Sequence, residues 1–317
     1  MIRRLSSRGR RGALCERSIA VAAGLVLDRV VPEPPDRAHP VARFGRLMTN
    51  VEDRVWSDAR TRGVIHAAVG VTVAAGTGVA IGSTTAATAV CVAGRELRRV
   101  AGTVANELRT GDLPAARERL RALVGRDTTE LDESGIAAAV IESLAENTVD
   151  AVFGIVVWAL AFGAPGATGY RAINTMDAMV GHRTDRYDRY GWASARLDDA
   201  ANLIPARLYA ALLAVTAPRR ATNILTSVRR DARRHPSPNA GVAEAAMAAA
   251  LGVELGGPLR YGPRTEDRPR LGTGRRPTTA DIDTAIDLTS RVEVALITAL
   301  VAVHLGTRRH ELLGRSR

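Results

Sequence analysis

The sequence predicts an all-α fold, and within that class a polytopic helical membrane protein with polar cytoplasmic helices and loops. Three observations carry the prediction. The 317 residues are 46% hydrophobic but only 3% aromatic, and Ala, Val and Leu gather in runs such as AAAVIESLAEN and EAAMAAALGVEL that favour helix without any sustained strand alternation. Residues 63–94 and 151–170 contain no Arg, Asp or Glu, each long enough for the roughly 20 apolar residues that cross a bilayer. The formal net charge is +11, and the excess sits in termini and loops, as in cytoplasmic segments of membrane proteins.

Every one of the 44 basic residues is arginine. Without lysine there is no Walker A phosphate contact, no Schiff base and no lysine nucleophile. Any phosphate must be met by arginine, by backbone N–H groups or through a metal. Nucleic acid is excluded as a partner, because aromatic stacking platforms and zinc-finger spacings are both missing. Cys15 and Cys91 are far apart and lack metal-ligand spacing, so no disulfide framework is expected.

In chain order, residues 1–17 read as an Arg-rich, disordered tail, and residues 18–317 as one helical membrane domain whose motif-bearing core is 123–262. Residues 18–27 form a short apolar helix. Prolines at 32, 34, 35 and 40 then impose a loop. Residues 63–94 predict one tilted helix or two that pack through small residues; the alternative is a buried helical hairpin of a soluble protein. Residues 95–133 are amphipathic and split at Gly111-Asp112, with Asp112 capping the second helix. The segment 151–170 is interrupted at Gly163-Ala164-Pro165-Gly166. An apolar stretch, 208–218, precedes a polar region ending in a Pro/Gly/Arg-rich loop near Pro277, and residues 294–307 are the last apolar segment. Several of these segments are too short to cross alone, so re-entrant or membrane-buried helices compete with full spans.

Chemistry concentrates in residues 123–208. Glu142, Glu146 and Asp150 share a helical face, with Asn147 beside Asp150. Asn174 with Asp177, and Asp198 and Asp199 with Asn202, repeat the pairing of carboxylate and amide. Burying carboxylates among apolar residues requires a compensating partner, most simply a cation. The metal set expected from this pattern is Glu142, Glu146, Asp150 and Asp177 around Mg²⁺, which bridges to substrate phosphates. Arg126 suits bidentate contact with phosphate or carboxylate, and Arg207 invites the same role. Asp127 beside it sits at a helix-to-loop transition. His39, Ser237, Asn239 and Glu244 are further candidates on or near loops, and Gly256-Gly257 allows backbone to approach a ligand or simply to turn.

These residues fall in motifs that resemble the CobD/CbiB family of cobalamin biosynthesis, the adenosylcobinamide-phosphate synthases. The likeness runs through HPV (39–41), LVGRDT (123–128), ESLAENTVD (142–150), GAP (163–165), NTMDAMVGH (174–182), ARLDDAANLIPARL (195–208), SPN with Glu244 (237–244) and ALGVELGGPLRYG (250–262). It departs from the family's usual pattern at residues 31–34, at 154–157, at Ala178 and at His182.

The resemblance implies a multi-pass enzyme of the cell membrane. It implies ATP-dependent amide formation between the corrinoid adenosylcobyric acid and (R)-1-aminopropan-2-ol or its phosphate, with ATP and Mg²⁺ required and membrane lipid and other cobalamin-biosynthesis enzymes as partners. Glu142, Glu146, Asn147, Asp150, Asp198 and Asp199 would then be catalytic. His39, Arg126, Asp127, Asn174, Asp177, Asn202, Arg207, Ser237, Asn239 and Glu244 would hold substrates. The competing readings are a membrane prenyltransferase that binds Mg²⁺–diphosphate, and a non-enzymatic membrane sensor of the AmpE type.

Overall fold

A computed structural model describes residues 2–35, 37–182, 184–261 and 264–315, with 2–11, 259–261, 264–266 and 310–315 described by their backbone alone. The chain opens with α1 (Ile2–Val30), so the Arg-rich segment expected to be disordered continues into the first apolar helix. The prolines end it. α2 (Pro40–Val55) starts on the last of them, with His39 as N-cap accepting the Val41 N–H at 3.2 Å.

The charge-free segment is two helices, α3 (Arg60–Ile81) and α4 (Thr84–Cys91), divided where Gly82 takes a left-handed C-cap conformation. The expected break at Gly111 separates α5 (Gly94–Arg109) from α6 (Leu113–Leu120), and Asp112 does cap the second by accepting from Ala115 N–H. α7 (Glu133–Thr148) passes through a π turn, Val149–Phe153, into α8 (Gly154–Phe162). Gly163, at φ +70°, turns the chain into α9 (Ala164–Val180).

α10 (Trp192–Ala201), α11 (Leu203–Thr216), α12 (Ala221–Asp231) and α13 (Ala240–Leu251) follow. The Pro/Gly/Arg-rich segment expected as a loop contains an antiparallel hairpin, β1 (Leu255–Tyr261) with β2 (Arg264–Leu271). Its strands lack apolar alternation because they are too polar to bury a face, so periodicity does not reveal them. Asp231 anchors the end of β2 by accepting the Gly272 N–H at 3.0 Å. Asp281 accepts from Thr278 N–H at 2.7 Å and fixes the start of α14 (Thr279–Arg315).

The single domain expected over residues 18–317 divides into two compact units, one of residues 1–93, 154–201 and 296–317, the other of 94–153 and 202–295. The first is built on α3 against α9. Small residues permit their approach: Gly70 lies under Met176, and Gly78 lies against Ala164 and Pro165. Met48, Ala67, Ala74, Ala172, Met176 and Ala193 form the core beside them. A buried Glu52 fastens the loop before α10, accepting from Tyr187 Oη at 2.9 Å and Arg186 at 3.0 Å. In the second unit α7 and α13 are the central helices, and nearly every residue of α13 is buried.

Among the described residues two helices, Arg60–Ile81 and Glu133–Phe162, are long and apolar enough to cross a membrane. They differ in what covers them. The apolar window of the first is only 28% buried within the protein, against 61% for the second. Val64, Ile65, Val69, Val73 and Val79 of α3 are exposed.

A Cβ at Gly63 would stand 1.8 Å from the Tyr190 carbonyl, whereas Gly76 has open space around it. Gly63→Ala is therefore expected to cost about 2–3 kcal/mol through backbone displacement. Gly76→Ala should be neutral or slightly stabilising. Thermal unfolding of the two purified variants measures the difference.

Candidate active site

The site is built on α7. Its AEN-containing turn places Glu142 on a buried face in the middle of an apolar helix, and two donors meet the carboxylate there. Arg126 Nη2 lies 2.8 Å from Oε2, and the Gly256 N–H lies 2.8 Å from Oε1. Both donors are delivered by local structure.

The loop carrying Arg126 is pinned at several points. Ser143 Oγ donates to the Leu123 carbonyl at 3.0 Å, Thr128 Oγ1 to the Arg117 carbonyl at 3.1 Å, and Arg117 Nε to the Leu131 carbonyl at 2.9 Å. Gly256 sits at a β-bulge with φ +79°, where a Cβ would fall 2.2 Å from the Pro269 carbonyl. The bulge takes its N–H out of the ladder and aims it at Glu142. Gly256-Gly257 is thus more than a turn: it supplies a backbone donor to the site.

Around this clamp lies a cavity of about 150 Å³, lined among others by Arg126, Glu142, Glu146, His235, Glu244 and Arg268. Arg268 comes from β2, His235 from the turn before α13, and Glu244 from α13 itself. The Arg268 guanidinium can only donate, so the His235 Nε2 at 2.9 Å accepts. The imidazole proton then lies on Nδ1, facing the Ser237 carbonyl at 3.2 Å, rather than receiving the Ser237 N–H 3.1 Å away.

Glu244 Oε1 is 3.8 Å from His235 Nε2. Burial, and then the charges of Glu142 and Glu146, push the Glu244 carboxyl well above its ordinary range; Arg268 and Arg126 oppose this without reversing it. α13 has 12 residues, about 18 Å of helix, too short to cross a bilayer. Three carboxyl groups, Glu142, Glu146 and Glu244, and two guanidiniums, Arg126 and Arg268, line the cavity together. The Nε of Arg126 is buried without a hydrogen-bond acceptor among the described residues. A small ligand with both an anionic and a cationic group matches this arrangement.

The structure sorts the residues expected from sequence. It gathers Arg126, Glu142, Glu146 and Glu244 around one cavity. It bonds several others to each other instead. Asn147 donates to the Ser143 carbonyl and hydroxyl, both at 2.9 Å, and so braces its own helix. Asp150, at the π turn, is not among the cavity's lining residues and accepts from Asn202 at 3.0 Å. Arg207 donates to Asn239 at 2.8 Å, Ser237 Oγ caps α13 by accepting from Ala240 N–H, and Asp127 closes an Asx turn on Thr129.

In the other unit Asn174 donates to Asp198 at 3.4 Å, Asp199 lies 3.8 Å from Arg196, and His39 is a helix cap that also lies 3.5 Å from Glu33. Asp177 rests over Gly181, where a Cβ would meet its carboxylate at 1.9 Å. This explains the glycine four residues beyond the aspartate in NTMDAMVG.

Among the described residues no three His, Cys, Asp or Glu side chains gather around one point as metal ligands do. Of the expected Mg²⁺ set, Glu142 is already bonded to Arg126 and Gly256, Asp150 is bonded to Asn202, and Asp177 belongs to the other unit. The residues present therefore do not fit a resident ion.

The fold is almost wholly helical, and its second unit gathers carboxylates and guanidiniums around one cavity. The motif residues that build it belong to one known group. The description CobD/Cbib protein matches residues 21–289. The chain is 43% identical to the cobalamin biosynthesis protein CobD of Mycobacterium tuberculosis over 92% of its length and 97% of that protein's. It is 44% identical to the protein of that name from Rhodobacter capsulatus, over 84% and 90% of the two chains. It is 43% identical to that from Chromobacterium violaceum, again over 84% and 90%. The chain belongs to the CobD/CbiB family. No solved structure matches it.

Sequence reasoning missed His235 and Arg268. Arg268 is one arginine in an Arg-rich stretch, and only the register of β2 singles it out. His235 carries the one local signal, a His-Pro pair shortly before α13.

Truncating one side of the clamp leaves a buried charge unpaired. Arg126→Met is expected to cost about 3–5 kcal/mol, and the double variant Arg126→Met/Glu142→Met to recover most of that loss. Denaturant unfolding of the three proteins gives the comparison. Glu244 has the opposite sign from a salt-bridged acid. Its folded-state affinity for a proton is raised above the ordinary 4.5, so its contribution is full below that pH and is lost as pH rises through the folded value. Stability should fall with rising pH over this window, and Glu244→Gln should flatten the slope.

Proposed function

We propose that the chain is an ATP-dependent amide ligase of cobalamin biosynthesis, joining the carboxyl group of adenosylcobyric acid to (R)-1-aminopropan-2-ol or its phosphate. Family membership and relatives named as cobalamin biosynthesis proteins support the pathway. The observation that carries the reaction is the cavity of the second unit, in which motif residues oppose carboxylates to guanidiniums at a size suited to the amine substrate. A volume of about 150 Å³ is far too small for a corrin ring, and we assign it to the amino alcohol.

In this reading the ammonium group enters beside Glu146 and Glu244 and displaces the proton that Glu244 holds at rest. Arg126 and Arg268 receive the anionic end of the molecule. A carboxylate is a poor electrophile, so ATP first converts it to a mixed acyl–phosphoric anhydride. Glu244 then takes one proton from the ammonium, and the free amine forms the C–N bond as the C–O bond to phosphorus breaks. The second amine proton leaves with the phosphate, and Glu244 is again neutral. Mg²⁺ bound to the nucleotide phosphates would offset their charge, since the described carboxylates do not form a site for it.

We place the enzyme in the cell membrane through its first unit. The exposed apolar residues of α3 support this, and their burial in lipid would remove a surface that water does not tolerate.

Purified protein incubated with adenosylcobyric acid, Mg-ATP and either amine should raise the corrinoid mass by one amine less water. Glu244→Gln, which removes the group that takes the amine proton, should lower the rate by at least about 100-fold while the protein stays folded. Folded wild-type protein that forms no product with either amine would overturn the assignment.

A further inference from the structure

We infer that α11 and the arginines that follow it form an interfacial surface that docks the second unit onto anionic lipid headgroups. α11 is apolar except for Arg207, whose guanidinium is turned to the Leu203 carbonyl and to Asn239. Its inner face, Pro205, Ala206, Tyr209, Ala210, Leu213 and Ala214, is buried. The opposite stripe, Ile204, Leu208, Ala211 and Val215 at successive helical turns, is exposed, with Ile204 at 62% and Val215 at 70%. No described element covers it. At 14 residues the helix is about 21 Å long, short of the ~30 Å hydrocarbon core, so it suits the membrane interface rather than a span.

The arginines fix the kind of partner. Arg219 and Arg220 follow the stripe directly, and Arg229 and Arg233 lie on and just beyond α12, exposed along with Leu225. Arg230 and Arg234 pair with Asp231. Among the described residues none of Arg219, Arg220, Arg229 and Arg233 has a carboxylate within ion-pair distance. An apolar stripe ending in uncompensated guanidiniums matches acyl chains beneath anionic headgroups, with the arginine stems along the apolar layer. A second copy of this chain is a poor occupant, because a two-fold contact would bring the same positive belt against itself.

The test uses the full chain reconstituted into vesicles of phosphatidylcholine with or without phosphatidylglycerol. Cys15 and Cys91 are buried, so a thiol-reactive fluorophore reports on Val215→Cys, with Val69→Cys on α3 as the reference. Nitroxide lipids should quench the Val215 position strongly only when phosphatidylglycerol is present. Replacing Arg219, Arg220, Arg229 and Arg233 by Gln should shift the docked-to-undocked ratio by about fivefold for each arginine, leaving the α3 position unchanged. Quenching at Val69 but not at Val215, quenching indifferent to phosphatidylglycerol or to the arginines, or a Val215 label that is shielded from water and cross-links between copies would each overturn the proposal. Absence of quenching at both positions would overturn it together with the membrane placement of α3.

Discussion

A carboxylate in the middle of an apolar helix must be compensated where it stands, and Glu142 is compensated from two directions. Removing an ion from water costs several kcal/mol, so the fold supplies a guanidinium and a backbone N–H, each fixed by its own surroundings. This requirement accounts for features that otherwise look unrelated. The loop before α7 is tied down by Ser143, Thr128 and Arg117 because Arg126 must arrive at one place. The hairpin after α13 carries a bulge because one of its amides is needed away from the ladder. With Glu142 and Glu146 close by, a third buried carboxyl does not ionise cheaply, and Glu244 is pushed well above its ordinary range.

Much of this was legible in the sequence, for identifiable reasons. Helix boundaries followed from local chemistry: Asp112 as a cap and Gly163 as a turn each act within a few positions of themselves, whereas Pro40, expected within a loop, is the first residue of α2. Glu142, Glu146, Arg126 and Glu244, which line one cavity, stood out in the sequence because charge inside apolar sequence is costly and calls for an explanation. Less legible was which polar residues would satisfy one another. Asn147, Asn202, Arg207 and Asn239 carry the same amides and guanidiniums as ligand-binding residues, and only the tertiary structure shows them turned to internal bonds. The π turn after Thr148 had the same effect on Asp150, since a 3.6-residue period extends the Glu142–Glu146 stripe onto it. Arg268 and His235 reach the cavity by strand register and a turn, which helical spacing does not encode.

The two units divide the physical tasks. The first packs α3 and α9 through glycine and alanine and leaves valines and isoleucines outward, the pattern expected where lipid is the solvent. The second buries α7 and α13 and brings Arg126, Glu142, Glu146, Glu244 and Arg268 to one cavity. The arginine excess noted at the outset splits accordingly: among the described side chains Arg98 and Arg126 balance buried carboxylates, and most of the others are exposed at turns and on helix surfaces.

The central claim is that a cationic amine takes the place of Glu244's proton. Calorimetric titration of the full chain with aminopropanol phosphate, near neutral pH in two buffers of different ionisation enthalpy, measures the protons released on binding. The account predicts release of about one proton per bound amine in the wild type, and none in Glu244→Gln. Binding without proton release, or equal release in both proteins, would contradict it.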